Sequence, residues 1–219
     1  MREQKNGSRP DTIEQIRLLK HIGSRFPSFR GESVLALLRR MQQTRTPELE
    51  RHQLLCGPYN PRWPDWFDRQ ARRLEQYLPP QAKHRLFHIG STAISGMDSN
   101  PVIDMALVLE CDGHWEGCRR GLEKADFLCY GNSPMGPKAE WFWRTDRPEA
   151  VFVLHMDGAG NQWLEENLRF CRYLADHPPE LERYRAFKEE HRELKQRNII
   201  LYSLKKLQFI MEIAERAKP

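Results

Sequence analysis

The feature that most constrains the fold is the segment PVIDMALVLE, residues 101–110, which is apolar along nearly its whole length. A continuous apolar run of this length is typical of a central strand that is covered on both faces. Asp104 lies in the middle of it, and a buried ionised carboxylate costs several kcal/mol unless it is paired or binds a metal ion. The segment therefore predicts a core strand that carries a functional carboxylate.

The residues just before this strand form a turn that suits a phosphate group. Residues 86–89 read as a short strand that ends in Gly90, Ser91 and Thr92. Such a turn presents backbone amides and a hydroxyl to a phosphate, and a carboxylate on the adjacent strand can hold the Mg²⁺ that bridges phosphates. Asp104 and Ser91 also have structural interpretations, as a buried capping residue and as an ordinary turn residue.

The rest of the chain alternates helical and strand patterns. Residues 1–55 form a helical N-terminal extension, and residues 56–219 form a single domain. The predicted order in that domain is helix, two strands, helix, three strands and a helical C-terminal region. This order predicts an α/β (α+β) fold with a mixed sheet flanked by helices. The predicted helices cover about 11–21, 32–43, a short stretch from 47, 61–78, 114–125, 162–176, 179–194 and 197–217, and the predicted strands cover 86–89, 101–110, 127–130, 140–145 and 150–156.

Composition excludes several classes of protein. No apolar run approaches the ~18–20 residues that span a bilayer, and the N-terminus lacks the apolar core of a signal peptide, so we expect a cytoplasmic protein without membrane association. The net charge is +5, but the charges are interspersed and form no basic tract, so nucleic acid is not the expected partner. A basic pocket for a nucleotide or another phosphorylated small molecule fits this charge equally well.

The cysteines leave one alternative open. Their number is odd, five, and their wide scatter argues for a reducing compartment. Cys111, His114, Cys118 and Cys129 could supply zinc ligands, but the chain lacks a second tight ligand pair. Cys118 also follows the apolar rhythm of a helix, which favours a buried thiol.

Several motifs together resemble the GrpB family (UPF0157). They follow one another in the family's order over about residues 56–212. The resemblance implies a nucleotidyltransferase-type fold that binds a nucleotide or another phosphorylated ligand, with possible Mg²⁺-dependent nucleotidyl transfer. The motifs are CGPYNPRWPDWF, HIGSTAISGMDSNPVIDMAL, LHM, LRFCRYLADHP and a late Tyr202-x3-Lys206-x2-Phe209-Ile210.

The resemblance also implies roles for individual residues. Asp104 would hold the metal ion and act in catalysis with His155, which faces Asp104 if their strands are neighbours. The phosphate would be bound by Gly90, Ser91 and Thr92 together with three cationic residues, Lys138, Arg172 and Lys206.

Departures from the family pattern put catalysis in doubt. Ala106 stands where nucleotidyltransferases carry a second carboxylate, and Asn100 stands where the family has a lysine. Two-metal catalysis needs two carboxylates. The alternative is therefore a catalytically degenerate ligand-binding or protein-interaction module, with residues 1–55 as the surface for a protein partner. Residues 104 and 106 are two apart on the strand, so both side chains are expected to point into the cleft, and installing a carboxylate at position 106 is expected to tighten Mg²⁺ binding.

Overall fold

The structure is a computed structural model that describes residues 9–25, 56–132, 139–147 and 150–218. The described elements are helices and strands in the mixed order that the sequence predicts, with short 3-10 turns at Ser91–Ala93 and Asp112–His114. In chain order they are α1 (Arg9–Arg25), α2 (Trp63–Glu75), β1 (His84–Ile89), β2 (Val102–Leu109), α3 (Trp115–Lys124), β3 (Leu128–Asn132), β4 (Ala139–Arg147), β5 (Ala150–Gly158), α4 (Gln162–Asp176), α5 (Pro178–Glu190), α6 (Arg192–Arg197) and α7 (Ile199–Arg216).

The strands form one mixed sheet in the order β1-β2-β5-β4-β3. β2 pairs with β1 in antiparallel fashion and with β5 in parallel fashion. The apolar segment 101–110 is therefore an internal strand beside segment 86–89, which confirms both predictions. A parallel pair needs a crossover connection, and residues 110–149 provide it through α3, β3 and β4.

Both faces of the sheet are covered, which explains why β2 is apolar along its length. Ile103, Met105 and Leu107 point to the face that packs under α2 and α3, in one cluster with Trp66 and Leu122. The alternate residues of β2 point to the other face, called the site face here because it carries Asp104. Apart from Asp104, the residues that β2 presents on this face are apolar, and residues from α1, α4 and α7 pack against β1 and β2 there.

The N-terminal helix begins and ends beyond its predicted bounds. The sequence predicts about 11–21, whereas α1 covers Arg9–Arg25. Leu18 and Ile22 are buried against the site-face cluster, so α1 packs on the domain. The helices predicted over 32–43 and after Pro47 lie outside the described residues.

The C-terminal region contains one more helix break than the sequence predicts. The predicted helix over 179–194 is divided at His191 into α5 and α6. A second break separates α6 from α7 at Asn198, whose Oδ1 accepts a hydrogen bond from the Leu201 amide at 3.1 Å. A side chain that caps a helix in this way favours a new helix start at that position.

The described residues contain no group of three or more His, Cys, Asp or Glu side chains that could hold a metal ion. Cys118 is fully buried in the apolar cluster below the sheet, as its helical position predicts. Among the helices of the described ranges, none is long and apolar enough to cross a membrane.

Candidate functional site

The site begins where β1 ends against Asp104. Ile89 pairs with Asp104 across the two strands, and Gly90 follows with φ +74° and ψ −174°. A Cβ atom at Gly90 would lie 2.4 Å from Asp104 Oδ2. This backbone region is essentially restricted to glycine, so both the conformation and the close approach of the carboxylate require Gly90.

Asp104 and His155 face each other on the site face. The parallel register places Asp104 beside Val153 and Ala106 beside His155. Asp104 Oδ1 lies 3.8 Å from His155 Nε2. The sequence predicts this proximity on the condition that β2 and β5 are neighbours, and the sheet order meets that condition.

The side chain of His155 is buried and packs against aromatic rings. Only 8% of its side chain is exposed. Its ring packs at 4.9 Å against Trp141 and at 5.0 Å against Trp163, measured between ring centroids. Its Nδ1 is buried without a hydrogen-bond partner in the described part of the chain. The carboxylate of Asp104 therefore lies beside an imidazole whose other nitrogen is unsatisfied.

The hydroxyls of the Gly-Ser turn have different roles. The Ser91 hydroxyl is half-buried and forms a hydrogen bond with the hydroxyl of Ser99. The Thr92 hydroxyl is fully buried, donates to Val102 O at 3.0 Å, and lies 3.0 Å from His88 Nε2. Burial lowers the pKa of His88 to about 4, so its ring is neutral. Because the Thr92 hydroxyl donates its proton to Val102 O, it accepts a hydrogen bond from His88 Nε2. The Thr92 side chain thus holds the turn together and, unlike the predicted role, is not available to a ligand.

Cationic side chains from the C-terminal helices surround the loop that joins this turn to β2. Lys188 Nζ on α5 donates to Asp98 O at 2.6 Å. Lys195 Nζ on α6 donates to Asn100 Oδ1 at 2.7 Å. Two lysines from separate helices are thus fixed on one short loop.

The pKa values of these two lysines are lowered, although the nearby Asp98 carboxylate favours the charged form of Lys188. Burial, followed by repulsion from Lys206, lowers the pKa of Lys195 to about 7. Burial is also the main cause that lowers the pKa of Lys188 to about 8, and Lys206 contributes again. Within the described ranges, no Asp or Glu side chain lies within ion-pair distance of these three lysines. Together, Lys188, Lys195 and Lys206 form what we call the lysine cluster.

The three cationic residues that the sequence predicts for the site do not lie together among the described residues. Lys206 lies on α7 and is half-buried, and it is grouped with Lys188 and Lys195 because its charge contributes to lowering their pKa values. Arg172 is exposed on the outer side of α4, where it lines a separate depression of about 450 Å³. Its neighbour Cys171 points inward, with Sγ 3.6 Å from Gly90 O. Lys138 lies outside the described residues.

Comparison with known proteins gives the same assignment that the motifs indicate. The family model described as GrpB protein matches residues 55–216. The chain belongs to the GrpB family. It is 27% identical over 181 residues to a UPF0157 protein of Halalkalibacterium halodurans, an alignment that covers 81% of this chain and 90% of the relative. It is 31% identical over 135 residues to a UPF0157 protein of Deinococcus radiodurans, covering 62% of this chain and 67% of that protein.

A solved GrpB structure has the same fold. The crystal structure of GrpB from Enterococcus faecalis superimposes with a TM-score of 0.63 at 22% sequence identity, covering 74% of this chain and 96% of that one. This likeness supports the arrangement of sheet and helices described above and shows the fold alone.

The described residues of this GrpB-family chain do not fit a protein-held Mg²⁺, because they contain no group of three or more metal-ligating side chains. Asp104 supplies one carboxylate, whereas Mg²⁺ prefers several oxygen ligands in octahedral geometry. Ala106 points to the site face, as its spacing from Asp104 predicts, but it is fully buried among Ile89, Val108 and Trp163. It therefore does not line an open cleft, which contradicts the expectation for that position.

Sequence reasoning missed Lys188 and Lys195. Residues 183–197 contain many basic and acidic side chains, and most of them are exposed and form local ion pairs, such as Arg192 with Glu189. The position of Asn100 gives the one available signal, because the family pattern has a lysine there. In this chain the Lys195 ammonium reaches that side chain from α6.

Proposed function

We propose that this GrpB-family protein binds a phosphorylated small molecule, such as a nucleotide, between the Gly90–Ser91 turn and the lysine cluster. The observation that carries the proposal is that the ammonium groups of Lys188 and Lys195 contact Asp98 O and Asn100 Oδ1 on the loop that follows this turn, with no acidic side chain of the described ranges within ion-pair distance. Ammonium groups that repel one another in a partly buried place are stabilised by an anion, and phosphate is a common anion with several acceptor oxygens.

The residues around Asp104 favour binding of the ligand without a resident metal ion. Nucleotidyl transfer by two metal ions needs carboxylates that bridge both ions. Among the described residues, Asp104 is the one carboxylate within ion-pair distance of His155, and the position of the second is occupied by buried Ala106. We therefore assign neutralisation of the ligand to lysines and propose a binding protein rather than a nucleotidyltransferase.

Isothermal titration with sulfate, pyrophosphate and ADP tests this proposal, each with and without Mg²⁺. Lys195→Gln and Lys206→Gln should each weaken binding about 10–100-fold, since a hydrogen bond to a charged group contributes about 1.5–3 kcal/mol. Lys124→Ala is the matched control, because it removes one positive charge from the exposed end of α3 and leaves the site intact.

The pH dependence adds a second test. Lys195 has a pKa of about 7 and an anion favours its charged form, so sulfate affinity should fall several-fold between pH 7 and pH 9. Sulfate does not titrate in this range, so the change reports the protein. Absence of binding by the wild type, or equal affinity in the lysine variants, would contradict the proposal. Nucleotidyl transfer that requires Mg²⁺ and is abolished in Asp104→Ala would favour an enzyme instead.

A further inference from the structure

The helix α1 lies outside the region that the family model matches, which begins at residue 55. It is nevertheless attached firmly to the domain. Ile22 is fully buried against the site-face cluster. Arg25 forms ion pairs with Glu166 on α4 at 3.0 Å and with Glu215 on α7 at 2.7 Å. The C-terminal end of α1 is thus fixed on α4 and α7, the other two helices that cover the site face.

The other end of α1 contacts the junction between α6 and α7. Asp11 is 7% exposed, and its Oδ2 accepts hydrogen bonds from Arg197 Nη1 at 3.0 Å and from Asn198 Nδ2 at 3.4 Å. Gln15 Nε2 donates to Asn198 Oδ1 at 3.3 Å. The same Asn198 oxygen caps α7 through the Leu201 amide. Residues of α1 therefore hold the side chain that sets the start of α7.

The helix α6 ends at this junction and has little buried surface to stabilise it. It is six residues long and has no fully buried residue. A helix of this length is not stable by itself, because most helical stability in proteins comes from packing. Lys195 ties α6 to Asn100 on one side, and Arg197 ties it to Asp11 on the other. Leu194 adds a partly buried contact with the site-face cluster.

The geometry points to α1 as a positioning element for the lysine cluster, with Asp11 as the positioning residue that acts through Arg197 and Asn198 on Lys195. This inference rests on the proposed function. Asp11 anchors the α6–α7 junction, so α6 presents the Lys195 ammonium at Asn100 in a fixed place. The Lys195 ammonium is then already ordered before the ligand binds. No part of the binding free energy is used to order α6, so the affinity is higher. The extension outside the family match would tune the affinity of the family site.

Sulfate titration of the full-length chain tests this inference. Asp11→Ala should weaken sulfate binding about 3–10-fold. Arg17→Ala is the matched control on the same helix, because Arg17 is exposed and makes no polar contact with the described part of the chain, and it should bind as the wild type does. In a Lys195→Gln background Asp11→Ala should have little further effect, because Asp11 acts through Lys195. A general loss of structure would weaken both backgrounds equally.

Hydrogen exchange provides a readout that needs no ligand. Asp11→Ala should increase exchange of the amides in residues 192–197, while Arg17→Ala should not. If the wild type binds sulfate and Asp11→Ala binds it equally well, or if the effects of Asp11→Ala and Lys195→Gln are additive, the inference is overturned and the proposed function stands. If the wild type binds neither sulfate nor pyrophosphate, the proposed function fails and the positioning role fails with it.

Discussion

Substitution of Gly90 by alanine tests how the site is held together. Gly90 has φ +74° and ψ −174°, a conformation that alanine adopts at a cost of about 1–3 kcal/mol. The new Cβ would also lie 2.4 Å from Asp104 Oδ2 and 3.1 Å from Asp104 Cβ. The carboxylate is the flexible end of its side chain and can rotate away, but it then loses its place beside His155.

The magnitude follows from these two costs. Backbone strain contributes about 1–3 kcal/mol, and displacement of a partly buried charged group adds about 1 kcal/mol. The sum is about 2–4 kcal/mol of lost stability. In a chain of this size each kcal/mol lowers Tm by about 2–4 °C, so Gly90→Ala should melt about 5–15 °C below the wild type.

Thermal unfolding followed by circular dichroism measures this difference. Gly57→Ala is the control, because a Cβ there would meet no atom within 4 Å, and its Tm should change by no more than about 3 °C. Combining Gly90→Ala with Asp104→Ala removes the 2.4 Å contact with Oδ2 but keeps the backbone strain and the 3.1 Å approach to the Cβ atom of residue 104, so the double variant should lose less than the sum of the single losses. A Gly90→Ala protein that melts like the wild type, or strictly additive losses, would refute this account of the turn.

Three further substitutions have expected outcomes. Asp157 is 2% exposed, and burial raises its pKa to about 7, so the folded state binds its proton more strongly than the unfolded chain does. At pH 8 the carboxylate is ionised at a cost in stability, so Asp157→Asn should raise Tm there. Near pH 4 the same substitution should have little effect. A Cβ at Gly121 would lie 2.4 Å from Tyr77 O, a backbone atom that cannot move freely, so Gly121→Ala should lower the free energy of unfolding in urea by about 1–3 kcal/mol. Ala106→Asp would bury a carboxylate among apolar side chains, so it should lower Tm, and added Mg²⁺ should not restore it. A pH-independent effect of Asp157→Asn, an unchanged urea midpoint for Gly121→Ala, or Mg²⁺ rescue of Ala106→Asp would each contradict its prediction.

The sheet and the pair at its centre could be predicted because both depend on short-range patterns. Strand periodicity alternates side chains between two faces, so an apolar strand with one carboxylate fixes the face on which Asp104 lies. The same alternation along β5 predicts that His155 shares a face with Val153. That β2 and β5 are neighbours was only a condition of the prediction, because their pairing joins distant parts of the chain, such as Asp104 and Val153.

The lysine cluster could not be predicted because it depends on helix packing over long sequence separations. Lys188 and Lys195 reach a loop about 90 residues earlier in the chain. Their surroundings in the sequence are a mixture of charges that is typical of solvated helix faces. The break at His191 between α5 and α6 was missed, whereas the later break was predicted between residues 194 and 197 and lies at Asn198. Contacts from α1 set the orientation of the capping side chain of Asn198, and these contacts depend on the folded chain. The burial of the Thr92 hydroxyl could not be predicted either, because its hydrogen-bond partners His88 and Val102 contact it only in the folded chain.

The lysine cluster links the stability of this protein to its proposed ligand. In the unfolded chain Lys195 has an ordinary pKa near 10.5, whereas in the folded protein its pKa is about 7. The unfolded state therefore binds more protons between these values, and the cluster costs the folded protein stability that is recovered as pH rises from about 7 to 10.5. An anion beside Lys195 reverses this cost at neutral pH, because it favours the charged lysine.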